Sequence, residues 1–467
     1  MKFQNLIMIS LFLLVASCTQ KSPEPEADAE FTGSDDEVRL AIVNPGHFHA
    51  GLVQMNRYSQ VDSVVHVYAP EGDELDIYLA MINQFNSREE NPTNWNQQVY
   101  TGDDYLQQML DDKAGNVMVV AGNNARKIEY IDSAVQNGIN VLADKPMIIK
   151  PDQFSTLKSA LESADEQGLV VNDIMTERHE ITTILQKALS RVPELFGELI
   201  KGSPEEPGIV KESVHFFYKT VAGETLVRPS WFFDVNQQGE AIADVSTHLV
   251  DMILWQVFPE EPIDYRSPDE GVEVDSARVW DTELKQSQFE LITNRENFPD
   301  YLMSSVSNDS ILNVTANGEF IFKVRDVYGK VSVEWGFTNP EGGDTHYSNM
   351  RGTRANLVIR QDVEQDFTAT LYVEPKGEAN SEAFETTLND ALNQLSDRYP
   401  GLRAEESQFG WEIVIPEQFS ETHEEHFTRV TEHYLDALVD GELPEWERTN
   451  LLTKYYITTQ AYEKSRE

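Results

Sequence analysis

Past about residue 37 the chain alternates short, wholly apolar or β-branched runs with stretches in which apolar positions recur every three or four residues. Strands are predicted at residues 38–43, 64–68, 117–121, 140–143 and 169–172, with helices at 127–137 and 154–167. A run such as Leu40-Ala41-Ile42-Val43 has no polar phase, which marks a strand buried on both faces. Alternation of such runs with helices predicts an α/β half built on a parallel, doubly wound sheet. Between the second and third of these strands lies a polar segment, 71–103, with a helix predicted near 75–85. It is longer than a plain strand-to-helix connection. Beyond about residue 175 the period changes to two, with Gly, Asn and Asp at the turns, at 213–220, 319–324, 331–335, 356–360 and 367–373. That pattern predicts an α+β half with a mostly antiparallel sheet, finished by helices at 381–397, 421–438 and 446–463.

The first residues follow another rule. Lys2 precedes an apolar run from Leu6 to Ala16, too short for a spanning helix, and small residues lead into Cys18. The pattern resembles a bacterial lipobox, so residues 1–17 read as a signal peptide and Cys18 as the site of lipidation. Cys18 is the one cysteine in the chain, which argues against an incidental thiol and leaves no disulfide. Residues 18–36, rich in Pro, Glu, Asp and Ala, read as a lipidated tether. The expected organisation is then an α/β domain at 37–175 and an α+β domain at 176–467, outside the cytoplasm and held to a membrane only through lipid. With 80 acidic against 36 basic residues and a net charge of −44, the surface excludes nucleic acid as a partner.

Three local patterns carry chemistry. Asp144-Lys145-Pro146 follows a predicted strand, where a doubly wound sheet opens its ligand crevice and an ammonium would be rigidly aimed. Asp244 and His248 lie four apart at the opening of a helix, so carboxylate and imidazole share one face, either as an acid/base pair or as a cap with a satisfied histidine. Asn44-Pro45-Gly46-His47-Phe48-His49 follows the first strand, where a dinucleotide fold places its phosphate turn. His47 and His49 have a metal-ligand spacing, but the sequence identifies no third ligand and no metal is expected.

Together these patterns resemble the glucose-fructose oxidoreductase / inositol dehydrogenase / MocA (Gfo/Idh/MocA) family, in a lipoprotein variety with its own C-terminal domain. Asp144-Lys145-Pro146 matches the family's Glu-Lys-Pro, Gly122-Asn123-Asn124 its Thr-Pro-Asn loop, and Asp244 and His248 its Asp-x-x-x-His pair. The resemblance implies a Rossmann-like N-terminal domain, a bound NAD or NADP, a sugar or polyol substrate and a possible homo-oligomer. It casts Lys145, Asp244 and His248 as catalytic, with Lys145 steadying the substrate hydroxyl and His248 taking its proton. Asn44, Gly46, His47, His49, Glu71, Asn123, Asn124, Asp144, Lys145 and Pro146 would meet the cofactor, and Arg228, Trp231 and Asp251 the substrate. Family relatives include glycosidases that oxidise a sugar transiently to eliminate its glycosidic bond, an extension suited to a compartment poor in free nicotinamide nucleotides.

The chain also departs from the family. The three glycines of the dinucleotide turn fall on Asn44, Gly46 and His49, so only the second survives, and the acid expected after the second strand falls on Ala69, with Glu71 nearby. Lys127 replaces the histidine of the family's Asn-x-x-His and could meet a phosphate or cap a solvated helix. These departures motivate the rival reading, a ligand-binding lipoprotein that has lost its cofactor.

Overall fold

The computed structural model describes residues 31–221, 224–308, 310–377 and 382–467. The predicted signal segment, Cys18 and nearly all of the tether lie outside the described residues. Among the described residues no helix is long and apolar enough to cross a membrane.

The N-terminal sheet contains β1 (Leu40–Val43), β2 (Val64–Ala69), β3 (Asn96–Thr101), β4 (Val117–Val120), β5 (Asn140–Asp144) and β6 (Val171–Ile174). All pairings are parallel, in the order β3-β2-β1-β4-β5-β6, which is the order of a dinucleotide-binding fold. Helices α1 (His49–Leu52), α2 (Asp73–Ser87), α3 (Tyr105–Asp112), α4 (Lys127–Gln136) and α5 (Phe154–Gln167) connect them. β1, β4 and β5 are buried at every residue, as their apolar runs require. β3 escaped the sequence reading because its Asn-Gln-Gln-Val-Tyr-Thr is that of an exposed edge strand, with no buried residue.

The second half begins with α6 (Ile181–Leu189) and strand β7 (Ile209–Phe216). A small hairpin, β8 (Thr220–Val221) and β9 (Glu224–Thr225), precedes α7 (Val245–Val257), β10 (Glu273–Lys285) and α8 (Gln286–Thr293). Strands β11 (Val306–Ser307), β12 (Ile311–Val324), β13 (Val327–Gly336), β14 (Thr345–Arg351), β15 (Ala355–Gln361) and β16 (Thr370–Pro375) follow, then α9 (Glu382–Gln394), β17 (Arg403–Ser407) and β18 (Gly410–Val414). The large sheet runs β10-β12-β13-β7-β14-β15-β16-β18-β17, antiparallel except where β13 meets β7. β7 starts four residues earlier than the alternation suggested, and β16 starts after Phe367, whose φ of 56° cannot continue a strand.

The last two helices, α10 (His423–Asp440) and α11 (Glu445–Lys464), return to the N-terminal half. Phe427, Val430, Tyr434 and Leu438 join the core that covers one side of the parallel sheet, and Leu451 and Tyr455 join the core on its other side. α10 is fixed by a capping box between Thr422 and Glu425 and ends on Gly441 in the left-handed region. That cap sets His423 and His426 at the crevice.

Candidate active site

Lys145 leaves the carboxyl end of β5 through a loop tied down by α11: the Met147 backbone N–H donates to the Tyr455 hydroxyl at 3.0 Å. The ammonium donates to Asp244 Oδ1 at 2.7 Å, across the two halves of the chain. Burial alone would lower the lysine pKa, but the Asp244 and Asp144 carboxylates outweigh it and raise the pKa above its ordinary value. Asp244 stands at the residue before α7 without a side-chain cap hydrogen bond, and one turn on His248 is buried with its Nδ1 lacking a partner among the described residues, so the pair is not a cap with a satisfied histidine. Burial, reinforced by the Lys145 ammonium, holds the His248 pKa well below that of a free imidazole, so the ring is neutral at physiological pH. A charged lysine and a neutral imidazole therefore face one crevice at the carboxyl ends of the parallel strands.

The loop after β1 has been remodelled around itself. Asn44 adopts φ 46°, Gly46 N–H donates to Asn44 O at 2.8 Å, His47 N–H to Ala121 O at 3.2 Å, and His49 N–H to His47 Nδ1 at 3.3 Å. Three donors of the expected phosphate turn are thus engaged internally. His49 Nδ1 also meets Asp144 Oδ2 at 3.0 Å, and His47 Nδ1 lies 4.0 Å from the same oxygen. Burial opposes the charge on Asp144, yet His49, Lys127 and His47 prevail and hold its carboxyl well below the usual range. Gly122 permits a backbone-to-backbone approach: a Cβ there would lie 2.5 Å from Asn44 O. A Cβ on Gly46 would lie 2.5 Å from Glu74 Oε2, because the Glu74 side chain covers this glycine while its other oxygen accepts the Trp231 indole N–H at 2.6 Å. The frame and the Lys145 end fit a nicotinamide dinucleotide; at the phosphate end the Glu74 carboxylate would have to move off Gly46 and the engaged N–H groups of the turn be released.

The remaining sequence candidates divide. Asn123 donates to Gln237 Oε1 at 2.6 Å and Asn124 to Gln238 O at 2.7 Å, so this loop clamps the 234–238 turn of the second half. Glu71 is exposed beside Thr101 at the end of β3. Pro146 is buried in the Lys145 loop. Arg228 is buried, donates to Phe217 O at 3.0 Å and stacks over Phe232, while Trp231 is buried with its indole given to Glu74. Asp251 does not reach the crevice: both its oxygens are held by Arg178, at 2.5 and 2.6 Å, and one also by Lys454 at 2.9 Å. Lys454 further binds Asp173 of β6 at 2.9 Å, making this a buried network between the halves. Lys127 neither meets solvent nor faces the phosphate turn; it is fully buried and donates to the Asp144 carbonyl at 2.8 Å.

Other residues come to the crevice unannounced. Two adjoining cavities, of about 90 and 480 Å³, share Glu177 and Glu180 in their walls. Lys211 and His346 line the first, His423 and His426 the second. Burial, then the neighbouring Glu180, raises the Glu177 pKa to about 7. Burial lowers Lys211 to about 7 as well. One signal for Lys211 was legible: Ile209, Lys211 and Ser213 occupy the buried phase of β7, and a lysine in that phase is unusual.

Comparisons with known proteins agree with this architecture. Residues 46–172 match the family described as "Oxidoreductase family, NAD-binding Rossmann fold", and residues 185–466 match the "Putative oxidoreductase C terminal domain". The chain is 48% identical to a crystal structure of a "putative oxidoreductase" from Parabacteroides merdae ATCC 43184, covering 94% of this chain and 99% of that one, with a TM-score of 0.91. It shares a fold with GenD2 from gentamicin A biosynthesis in complex with NAD (16% identity, 96% and 97% coverage, TM-score 0.54). It also shares a fold with levoglucosan dehydrogenase in complex with NADH and L-sorbose (11% identity, 92% and 96% coverage, TM-score 0.56). A sequence search of curated proteins finds no match. The chain belongs to the Gfo/Idh/MocA family of NAD-binding oxidoreductases, in the variety that carries this C-terminal domain.

Proposed function

We propose that the protein is an exported, lipid-anchored oxidoreductase that acts on a hydroxyl of a sugar or polyol, with NAD or NADP held over the carboxyl ends of the parallel strands. The observation that carries the reading is the Lys145–Asp244 pair at 2.7 Å beside a buried, neutral His248, with Glu177, in the wall of a cavity of about 480 Å³, close enough to feel the Lys145 charge. A bound nicotinamide supplies the hydride acceptor. Lys145, kept charged by Asp244, holds the substrate hydroxyl oxygen and stabilises negative charge as it develops there. His248, already neutral, takes the hydroxyl proton. Asn123 and Asn124 hold the two halves in register by clamping the turn ahead of Asp244.

The reading extends to cleavage of a glycoside. A ketone formed next to a C–H bond acidifies it, so loss of that proton expels the glycosidic oxygen by elimination, and a crevice rich in proton-transfer groups supports this chemistry. The location rests on Val15-Ala16-Ser17-Cys18, and incorporation of labelled palmitate that disappears in Cys18→Ser tests it. The rival, a binder without cofactor, draws on Glu74 covering Gly46. Incubating the purified full chain with NAD, then NADP, and a panel of sugars separates them. Absorbance of the reduced nicotinamide that depends on both sugar and Lys145 supports the enzyme, and silence across the panel together with tight sugar binding supports the binder.

A further inference from the structure

The sequence offers His47 and His49 at a metal-ligand spacing but no third ligand, and the fold supplies one. Asp144, at the end of β5 and 95 positions beyond His49, brings Oδ2 to 3.0 Å from His49 Nδ1 and 4.0 Å from His47 Nδ1. One donor atom from each of the three residues lies within 4.8 Å of the others. Bonds of about 2.1 Å to a common ion would set such atoms roughly 3.0–3.5 Å apart, so shifts of about 1 Å complete the site. Inside a helix, residues two apart point to different sides, but His47 precedes α1 and His49 opens it. Both rings therefore turn to Asp144, with their centroids 4.1 Å apart and edge to face. A phosphate turn needs none of this: His49 stands where the third glycine would be, and the N–H groups of the turn are spent internally.

The ligands are also held from behind. The His49 ring packs against Phe48 and Phe427, with centroids at 4.5 and 4.7 Å, and its Nε2 lies 3.5 Å from His423 Nε2. His423 Nδ1 in turn lies 4.0 Å from Glu177 Oε1. With Nδ1 given to an ion, His49 carries its proton on Nε2 and donates it to His423, whose own proton then sits on Nδ1 toward Glu177. Asp144 is fixed through its backbone, paired with Ile174 of β6 and with its carbonyl accepting from Lys127 at 2.8 Å.

We infer that His47, His49 and Asp144 bind a divalent transition-metal ion, of which zinc is the type, and that His423 is a positioning residue for His49. Two imidazoles and one carboxylate are the donor set of open zinc centres, in which three protein ligands leave a position for water or another oxygen ligand. That position falls on the side of His47, whose side chain is 20% exposed against 10% for His49 and 7% for Asp144. The ammonium groups of Lys127 and Lys145 stand nearby, one on the Asp144 carbonyl and the other paired with Asp244. Their charge weakens most a cation held by electrostatics alone, so Mg²⁺ and Ca²⁺, which prefer oxygen ligands, are rejected. The inference goes beyond the redox reading and stands whether or not the crevice holds a nucleotide.

The test uses the full chain, purified in detergent without a histidine tag, stripped with EDTA and dialysed into metal-free buffer. Calorimetry is expected to show a single Zn²⁺ per chain, with Mg²⁺ and Ca²⁺ weaker by about 100-fold or more. Co²⁺ should bind at the same site and give visible absorption bands. His47→Ala and Asp144→Asn should each weaken Zn²⁺ by about tenfold or more and abolish the Co²⁺ bands, while His423→Gln should weaken it less and shift the bands. Zn²⁺ should raise the melting temperature of wild type and not that of His47→Ala, which alters the most exposed ligand and so separates a lost site from a lost fold. No Zn²⁺ binding, Zn²⁺ binding unchanged in His47→Ala and Asp144→Asn, or Mg²⁺ bound as tightly as Zn²⁺ overturns the inference. Affinity and bands both unchanged in His423→Gln overturn the role of His423.

Discussion

The Glu74 carboxylate over Gly46 gives the sharpest quantitative prediction. A pyrophosphate seated on the second glycine of the turn would bring a negative phosphate to the place now held by Glu74. If the carboxylate stayed about 4 Å away, repulsion at an effective dielectric of about 20 would cost roughly 4 kcal/mol. Moving it instead breaks the Trp231–Glu74 hydrogen bond, a bond to a charged group worth about 1.5–3 kcal/mol. The cheaper path is movement, and its cost is taken from cofactor binding. Glu74→Ala should therefore tighten NAD binding about 10- to 100-fold. Glu74→Gln, which keeps the acceptor for Trp231 and loses the charge, should gain less. Burial already raises the Glu74 pKa, so wild-type affinity should climb as pH falls through its titration, and that slope should vanish in Glu74→Gln. Titration calorimetry of NAD into protein stripped of nucleotide reads all of this; affinity that is unchanged or weaker in Glu74→Ala refutes the reasoning.

Lys145→Ala and His248→Ala should each lower turnover of the cognate sugar by about 100-fold or more with circular dichroism near wild type, and Lys145→Ala should also lower the melting temperature because it leaves Asp244 buried without its cation. Lys454→Ala leaves Asp173 and Asp251 buried without their shared cation, so stability measured by denaturant should fall by about 3–5 kcal/mol. Burial opposes the charge on Asp251, but Arg178 and Lys454 outweigh it and depress its pKa, so its contribution is fully present above the unfolded carboxylate value near pH 4 and fades as pH falls toward the lower folded value; acid unfolding monitored by tryptophan fluorescence should show this loss blunted in Asp251→Asn. His248 is neutral well below the free-imidazole value, so an inflection of the pH–rate profile near pH 7 should come from Glu177 and Lys211 and should change in Glu177→Gln.

The sequence was most readable where one physical rule governs a contiguous stretch. Apolar runs such as Val117–Val120 announce strands buried on both faces, and the spacing of Asp244 and His248 places them together whatever the fold. β3 was hidden because an edge strand needs no apolar phase. The returns of α10 and α11 were hidden because an amphipathic stripe says that a face is buried, not against what. Lys127 could not be placed, since a buried ammonium held by a backbone carbonyl leaves no trace in residue type. Asp251 was misassigned for a related reason: its partners Arg178 and Lys454 are 73 and 203 positions away. Lys211 and His346 meet through β7 pairing with β14, and Glu177 reaches them from the turn after β6, a convergence that no local pattern encodes.

Whether this remodelled crevice holds a nicotinamide dinucleotide separates the oxidoreductase from the binder. Denaturing the purified full chain and weighing the released small molecules by mass spectrometry tests it most directly. NAD or NADP is expected, either released at near-stoichiometric amount or bound on addition with an affinity that rises in Glu74→Ala. Neither nucleotide in the released fraction, and none bound by wild type or Glu74→Ala, would contradict the oxidoreductase.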